Sequence, residues 1–288
     1  MKRAVIFGSA GQLGQELVTE FRARGYEVTG FSRRTVDVTD PAAVESSLAA
    51  IDPSVVLNAA AYNQVDIAET EPLLAYSANA FAVRNIALAC RQIDAKLIHF
   101  STDYVFDGML NRCYLETDAT HPLGAYAVSK LAGELYAQAY LDPLVIRVSG
   151  VFGPGGMSTA RGNFPEMMLR LAKGGQTIKV VEDHVASPSF APAIAARTAD
   201  LFERNQTGIF HIGGGEAISW YNWAKLIFES AGLNPEVKPT NEREYRTAAR
   251  RPKFSALSNA KMEGMGVKPM PPLREALAHY WAARPTKP

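Results

Sequence analysis

The stretch RAVIFGSAGQLGQEL, residues 3–17, places three glycines where a strand-like run changes into a helical pattern. Gly8, Gly11 and Gly14 form a GxxGxxG spacing directly after that run. Glycines at such positions allow a tight turn, a close approach of the backbone to a pyrophosphate, and close packing of the helix on the strand. The helix N-terminus would then offer N–H groups and a positive dipole end to the phosphates. The stretch predicts a dinucleotide-binding turn, with an ordinary strand-to-helix turn as the alternative.

Short β-branched runs alternate with longer helical patterns throughout the first half of the chain. The strand-like runs are RAVIF (3–7), YEVTGF (26–31), SVVLN (54–58), KLIHF (96–100) and LVIRV (144–148). The helical patterns cover residues 12–24, 41–51, 72–94 and 125–140. This alternation predicts an α/β fold, a doubly wound parallel sheet of the Rossmann-like kind. Ligands of such sheets bind at the carboxyl ends of the strands.

The second half of the chain is less regular. The segment GVFGPGGMSTARGN (150–163) is rich in glycine and reads as a loop. Helices are predicted over 164–173, 190–204, 219–231 and 272–283, extended chain over 178–188, and a strand ending in a glycine turn over 208–215. We expect residues 1–150 with 184–212 to form an NAD(P)-binding domain. Residues 151–183 with 213–288 are expected to form a smaller α/β substrate-binding lobe.

Composition and charge exclude several classes of protein. Of the 288 residues 47% are apolar, and 30 Lys and Arg nearly balance 29 Asp and Glu, so neither nucleic acid nor an anionic membrane is an expected partner. No apolar run approaches the roughly 20 residues of a membrane span. The two cysteines lack CxxC spacing and the histidines lack metal-ligand spacing. We expect a cytoplasmic monomer or homodimer without a metal site.

The residues after the second strand favour NADPH over NADH. NAD-binding sites usually carry an acidic residue about 20 positions beyond the glycines, where it binds the ribose 2′-hydroxyl. Here Ser32, Arg33 and Arg34 follow the strand instead. A guanidinium can bind a 2′-phosphate through two hydrogen bonds, whereas a carboxylate would repel it. Asp37 could hydrogen-bond the adenine, and a solvated basic loop is the alternative for the arginines.

Tyr126 and Lys130 lie four residues apart in GAYAVSKLAGE (124–134), on one face of a predicted helix. A phenol has an ordinary pKa of about 10 and exchanges protons poorly at neutral pH. A nearby ammonium and an oxidised nicotinamide both stabilise the phenolate and lower that pKa. Ser101 and Thr102 end the fourth strand, where a hydroxyl can hold a carbonyl oxygen. The combination predicts carbonyl reduction; YxxxK alone is common, so an unrelated surface pair is the alternative.

Seven segments in the expected order resemble the dTDP-4-dehydrorhamnose reductases, extended members of the short-chain dehydrogenase/reductase superfamily. They are GSAGQLG (8–14), NAAAYNQVDIAE (58–69), STDYVFDG (101–108), YAVSKLAGE (126–134), GNFPEMMLRLAKGG (162–175), SWYNWAKLIFESAG (219–232) and ARRPKFSALSNAKM (249–262). The resemblance implies NAD(P)H-dependent reduction of the 4-keto group of a nucleotide-linked 6-deoxysugar. It implies that Thr102 polarises the carbonyl, that Tyr126 is the acid, and that Lys130 binds the nicotinamide ribose and lowers the tyrosine pKa.

The remaining contacts combine the residues already argued above with those that the resemblance implies. The cofactor would be lined by Gly8, Gly11, Gln12, Leu13, Gly14, Ser32, Arg33, Arg34, Asp37, Val38, Asn58, Ala59, Ala60, Ala61, Tyr62, Asn79, Ser101, Tyr126 and Lys130. The substrate would contact Val65, Asp103, Tyr104, Asn163 and Arg251. Further cations for its diphosphate could come from Arg147, Arg161, Arg170 or Arg250, with ordinary salt bridges as the alternative. Asp66 and Glu69 are expected on a solvated face.

Two departures from the family pattern concern the substrate. Gly150 stands where the family usually has a tryptophan, and Ala186 and Ser189 alter a segment that more often reads Gly-Ser-Pro-Thr. Three other functions share the scaffold. A dehydratase would need a second acid after Asp103, which Tyr104 replaces; an epimerase would favour NAD, which the two arginines disfavour. A non-catalytic NADP-binding regulatory subunit, like that of methionine adenosyltransferase, stays open.

Overall fold

Six parallel strands form the central sheet of the computed structural model, which describes residues 2–159 and 162–284. The strands are β1 (Arg3–Phe7), β2 (Glu27–Phe31), β3 (Val55–Asn58), β4 (Lys96–Thr102), β5 (Leu144–Val148) and β8 (Gly208–Ile212). Their order across the sheet is β2-β1-β3-β4-β5-β8. Together with the helices on both faces, this order confirms the doubly wound α/β class predicted from the sequence.

Helices cover both faces of this sheet. They are α1 (Gln12–Ala23), α2 (Pro41–Ile51), the short α3 (Ile67–Thr70) and α4 (Pro72–Tyr76), α5 (Ala82–Gln92), α6 (Ala125–Tyr140) and α8 (Ala191–Glu203). A π-helical turn, Ser77–Phe81, joins α4 to α5. Helices α1 and α8 pack together, as do α2, α5 and α6. The sheet therefore lies between two helical layers.

Alternation along the strands fills two separate cores. In β1, Ala4 and Ile6 join one core, whereas Val5 and Phe7 join the other. Successive side chains of a strand point to opposite faces, so a strand that is apolar at every position must be covered on both sides. This is why RAVIF, rather than an alternating pattern, occupies the middle of the sheet.

The rest of the chain adds three helices of 10 or 11 residues and several shorter elements. They are α7 (Phe164–Lys173), β6 (Ile178–Val181), β7 (Val185–Ala186), β9 (Ile218–Ser219), α9 (Trp220–Ser230), β10 (Val237–Thr240), α10 (Ala260–Gly264) and α11 (Leu273–Ala282). Strand β6 pairs in parallel with β10, and β7 pairs antiparallel with β9. Helix α9 packs against α7 and α11, and its Trp223 belongs to the core that also holds Ile6.

Among the described residues, one helical stretch, Pro72–Gln92, is long and apolar enough by composition to cross a membrane, with a mean hydropathy of 1.3. The sequence-based expectation that no apolar run approaches the length of a membrane span was therefore wrong for this helical stretch. Half of its apolar window is buried against the rest of the fold. Such burial is typical of a core helix, and a single helix of this kind is weak support for a membrane protein.

Candidate active site

The glycine turn joins β1 to α1 at the point where the strand order reverses. Strands β2 and β3 lie on opposite sides of β1, and a crevice forms at the carboxyl ends of strands at such a reversal. Gly8 has a φ of +76°, and a Cβ on it would lie 2.6 Å from the Ala60 nitrogen. A Cβ on Gly14 would lie 2.1 Å from the Gly8 oxygen. Only glycine fits at these two positions, because the neighbouring atoms are backbone.

The N-terminus of α1 is suited to an anion. Gly11 is its N-cap residue, and no side chain among the described residues caps it. The first-turn N–H groups, including those of Gln12 and Leu13, have no intrahelical partners, and the dipole adds positive potential. The side chain of Gln12 points elsewhere, since its Nε2 donates to the Val151 oxygen at 2.8 Å. The turn therefore fits the pyrophosphate of a dinucleotide through its backbone.

The predicted 2′-phosphate residues follow β2 and are open to solvent. The side chain of Arg33 is 86% exposed, and its Nε lies 3.5 Å from Asp37 Oδ2; Arg34 is also exposed. Hydrogen bonds from Thr39, assisted by Arg33, hold the pKa of Asp37 below its ordinary value. Asp37 is therefore an ionised partner of Arg33 at neutral pH, and Ser32 and Val38 flank the pair.

Two buried amides shape the segment after β3. Asn58 Oδ1 accepts from the Ala60 nitrogen at 3.2 Å. Asn79, on the π-helical turn, accepts from the Tyr62 nitrogen at 2.8 Å and donates to the Tyr62 oxygen at 3.0 Å. Asn79 also donates to Ser129 Oγ on α6 at 3.0 Å. The Asn58 amide nitrogen lies 3.3 Å from His99 Nδ1, so both amides are paired within the protein and help to hold the backbone of residues 59–62.

The three predicted catalytic residues lie on β4 and α6. Thr102 ends β4 and aligns with Val148 of β5. Lys130 Nζ donates to the Phe100 oxygen at 2.6 Å, which fixes this part of α6 against β4. Burial lowers the pKa of Lys130 to about 8, against the opposing charge of Glu134. Tyr126 lies one turn earlier, and its hydroxyl donates to Asn63 Oδ1 at 3.4 Å.

Asp103, the residue after Thr102, is a buried carboxylate bound by three hydroxyls. Its Oδ2 accepts from Ser149 Oγ at 2.9 Å and from Ser255 Oγ at 2.5 Å, and its Oδ1 accepts from Thr102 Oγ1 at 3.2 Å. Burial raises the pKa of Asp103 to about 6, although the hydroxyls oppose the shift. This side chain links the end of β4 to Ser149, just after β5, and to Ser255 in the C-terminal segment. The carboxylate faces the protein interior, so the structure does not present it to a substrate.

The other predicted substrate residues are partly paired within the protein. The ring of Tyr104 meets that of Tyr126 edge-on, with centroids 6.1 Å apart, and burial raises the pKa of Tyr104 to about 12. Arg251 forms two hydrogen bonds to Asp66, at 3.1 and 2.7 Å. Asn163 caps α7 and donates to Gln12 Oε1 at 2.8 Å. Val65 is half-buried in the loop after β3.

The expectation of a solvated face for Asp66 and Glu69 was wrong, and Arg147 forms the salt bridge that was the alternative for it. Asp66 binds Arg251, and Glu69 accepts from the Ala125 nitrogen at 2.8 Å, so neither belongs to a merely solvated face. Arg147 is buried and pairs with Glu134, so it is not available to a diphosphate. Arg161 lies outside the described residues.

Gly150 faces the ring of Trp220, the first residue of α9. It has a φ of +48°, and a Cβ placed on it would lie 3.3 Å from Trp220 Cη2. The Trp220 ring in turn meets Phe164 edge-on at 4.7 Å. An indole therefore approaches the very position at which the resembling family usually carries a tryptophan of its own.

Comparison with known proteins decides the family. A sequence model of the RmlD substrate binding domain family matches residues 1–284. The chain belongs to the RmlD family. The spore coat polysaccharide biosynthesis protein SpsK of Bacillus subtilis is 35% identical over 99% of this chain and 98% of its own length. A dTDP-4-dehydrorhamnose reductase of Mycobacterium tuberculosis is 36% identical over 98% of this chain and 93% of its own length.

A solved relative has the same fold. The dTDP-4-dehydrorhamnose reductase of Bacillus anthracis, crystallised in complex with NADP, aligns with a TM-score of 0.93 at 32% identity and covers 99% of this chain and all of that one. The resemblance inferred from the seven sequence segments is thereby confirmed.

Sequence reasoning missed two kinds of residue in this RmlD-family site. Glu134 lies four residues after Lys130 on the same face of α6, a spacing that signals contact but not the identity of its partner. Asn63 meets Tyr126 across 63 positions of sequence, and no local pattern predicts such a pair.

Proposed function

We propose that this protein is an NADPH-dependent reductase of the 4-keto group of a dTDP-linked 6-deoxysugar, dTDP-4-dehydrorhamnose. One observation carries the proposal. Thr102 ends β4, Lys130 binds the Phe100 oxygen of the same strand, and the Tyr126 ring meets that of Tyr104, at the sheet edge where the glycine turn follows β1 two strands away. The relatives named dTDP-4-dehydrorhamnose reductase, and the NADP bound to one of them, support the same substrate and cofactor.

The residues present fit the cofactor. Gly8, Gly11 and Gly14 would hold the pyrophosphate on the N-terminus of α1, and Arg33 and Arg34 would bind the 2′-phosphate. Lys130 would hold the nicotinamide ribose at the far end. When bound, NADPH supplies the hydride that reaches the carbonyl carbon.

Side chains of the protein donate the proton and orient the carbonyl oxygen that receives it. Tyr126 Oη donates its proton to the carbonyl oxygen, and the positive charge of Lys130 stabilises the phenolate that remains. Thr102 Oγ1 orients the same oxygen by hydrogen bonding. In the structure this hydroxyl donates to Asp103, so it must rotate about its Cβ–Oγ1 bond to serve the substrate. The backbone N–H of Tyr104 donates to Thr102 Oγ1 at 3.2 Å and keeps the oxygen in place.

Turnover of a defined ketone tests the proposal. Purified protein is mixed with NADPH and dTDP-4-dehydrorhamnose, loss of NADPH absorbance is followed, and the sugar product is identified by chromatography. We expect one NADPH consumed for each dTDP-L-rhamnose formed. Binding of NADPH without turnover of any dTDP-4-keto-6-deoxysugar would contradict the proposal and favour a regulatory subunit. Interconversion of sugars without net NADPH consumption would favour an epimerase.

Two finer expectations belong with this proposal. We propose the same division of the chain as before, with residues 1–150 and 184–212 binding the cofactor and residues 151–183 and 213–288 binding the substrate. A cytoplasmic monomer or homodimer stays a prediction, and light scattering of the purified protein measures its mass in solution.

A further inference from the structure

A buried ion pair lies beneath the part of α6 that carries the proposed acid. Glu134 is 1% exposed and Arg147 is 2% exposed. Arg147 Nε and Nη2 donate to the two carboxylate oxygens of Glu134 at 2.9 and 2.7 Å. Ser101 Oγ also donates to Glu134 Oε1. A carboxylate so far from water is stable only with such a complete set of donors.

The donors come from two neighbouring strands at one level of the sheet. Ser101 of β4 and Arg147 of β5 are directly paired in the strand register, and the next pair is Thr102 with Val148. Glu134 is therefore hydrogen-bonded to the strands one residue before Thr102, the last residue of β4. Along α6 it lies one turn from Lys130 and about two turns from Tyr126.

We propose that Glu134, held by Arg147 and Ser101, is a positioning residue that fixes the rotation and height of α6, and with them Tyr126, relative to Thr102. The proposal rests on the reduction proposed above, because it assigns a role within that same site. It also explains why the hydroxyl of Ser101 faces Glu134: any contact of Ser101 with the cofactor would come from its backbone.

Helix α6 is closely packed near Glu134, so its position should depend on the hydrogen bonds of Glu134. A Cβ on Gly133 would lie 2.1 Å from the Asn79 oxygen and 3.3 Å from His99 Nε2. The helix thus packs closely on the π-helical turn and on β4 at Gly133, next to Glu134, which binds β4 and β5. A shift of α6 would carry Tyr126 with it, and a misplacement of about 1 Å in an active site can lower turnover about 100-fold.

The charges around Glu134 are few. Arg147 lies over the Phe106 ring, 5.1 Å from its centroid, and Lys130 contributes the second positive charge. Burial lowers the pKa values of His99 and His211, so both imidazoles are neutral at pH 7. Because Glu134 raises the pKa of Lys130 against the effect of burial, its removal should lower the pKa of Lys130 further.

Three variants separate position from charge and from folding. Glu134→Gln removes the charge and keeps the size. Glu134→Asp keeps the charge but shortens the side chain by one methylene group. Glu134→Leu combined with Arg147→Met removes the buried pair together, a replacement that other proteins tolerate without loss of stability. Glu20→Gln is the control, since Glu20 is a glutamate on a helix that also pairs with an arginine, Arg24 at 2.8 Å, on α1 away from the site.

The readouts are kcat, KM for NADPH, and the pKa of Lys130 measured by NMR on protein with labelled lysine. We expect kcat to fall about 10- to 100-fold in all three Glu134 variants with KM for NADPH nearly unchanged. The pKa of Lys130 should fall in Glu134→Gln and stay near its original value in Glu134→Asp. The control should match the unmodified protein in every measurement.

Each outcome points one way. Unchanged kcat in Glu134→Gln, or in the double variant, overturns the positioning role. If the unmodified protein reduces no ketone, the proposed function fails; a lowered Lys130 pKa in Glu134→Gln then still supports the coupling of Glu134 to the site, and an unchanged one overturns it.

Discussion

Replacing Asp103 with asparagine should stabilise the protein at neutral and alkaline pH. The two serine hydrogen bonds to Asp103 suit an amide oxygen as well as a carboxylate oxygen. An amide oxygen in place of Oδ2 would keep the bonds from Ser149 and Ser255. The amide NH₂, in place of Oδ1, would donate to Thr102 Oγ1 at the position where the hydroxyl now donates. The substitution therefore removes a buried charge and keeps the two serine hydrogen bonds, while the Thr102 hydroxyl loses Asp103 as its acceptor.

The magnitude follows from the raised pKa of Asp103, about 6 against an ordinary value of 3.8. Between these two values the folded protein binds more protons than the unfolded chain, so its free energy of unfolding falls as pH rises through this window. The total fall is about 3 kcal/mol, of which about half lies between pH 5 and pH 8. Asparagine has no such titration, so its advantage should grow with pH up to about 7 and then stay constant.

Urea denaturation followed by circular dichroism at pH 5 and pH 8 measures this difference. Asp118→Asn is a control of opposite sign, because hydrogen bonds from Arg112 hold the pKa of Asp118 below its ordinary value. That variant should lose stability wherever Asp118 is ionised in the original protein. A stability difference between Asp103→Asn and the original protein that is the same at pH 5 and pH 8 would refute the assignment of the buried charge.

Three further substitutions have expected outcomes. Arg33→Ala combined with Arg34→Ala should weaken NADPH binding far more than NADH binding, and equal losses in a fluorescence titration would contradict the 2′-phosphate assignment. Gly14→Ala should lower the melting temperature and abolish cofactor binding, because its Cβ would lie 2.1 Å from the Gly8 oxygen; normal binding by this variant would contradict the description of the turn. Gly150→Ala should destabilise the fold by about 1–2 kcal/mol for its left-handed backbone, with the Trp220 contact adding to that, and an unchanged denaturation midpoint would contradict it.

The elements of the sheet were well predicted because their signals are local. The run 3–7 and the helical pattern 125–140 match β1 and α6 residue for residue. Both elements are decided by short-range patterns of apolar and small residues. The π-helical turn at Ser77–Phe81 was read as part of one helix, since its residues differ little from those of an α-helix. Strand β10 was missed; its sequence VKPT contains a proline, which usually argues against a strand.

The part of the site that could be predicted consists of residues whose relation is visible in local sequence patterns. Tyr126 and Lys130 share a helix face, and Thr102 ends a recognisable strand, so their placement at one edge could be expected. The pairing of Arg147 with Glu134 depends on the registration of β5 against α6, which no spacing in the chain reveals. Asn163 was assigned to the substrate from the resemblance, whereas in the fold its side chain joins α7 to α1 through Gln12.

Tyr126→Phe gives the most direct test of the central claim, that the phenol of Tyr126 protonates the carbonyl oxygen beside a nicotinamide held from the glycine turn. The substitution removes one oxygen and leaves the cofactor contacts of the turn intact. Rates of NADPH oxidation with dTDP-4-dehydrorhamnose should fall about 10²- to 10⁴-fold, while NADPH affinity measured by fluorescence stays nearly unchanged. Retention of the original rate in this variant would contradict the account.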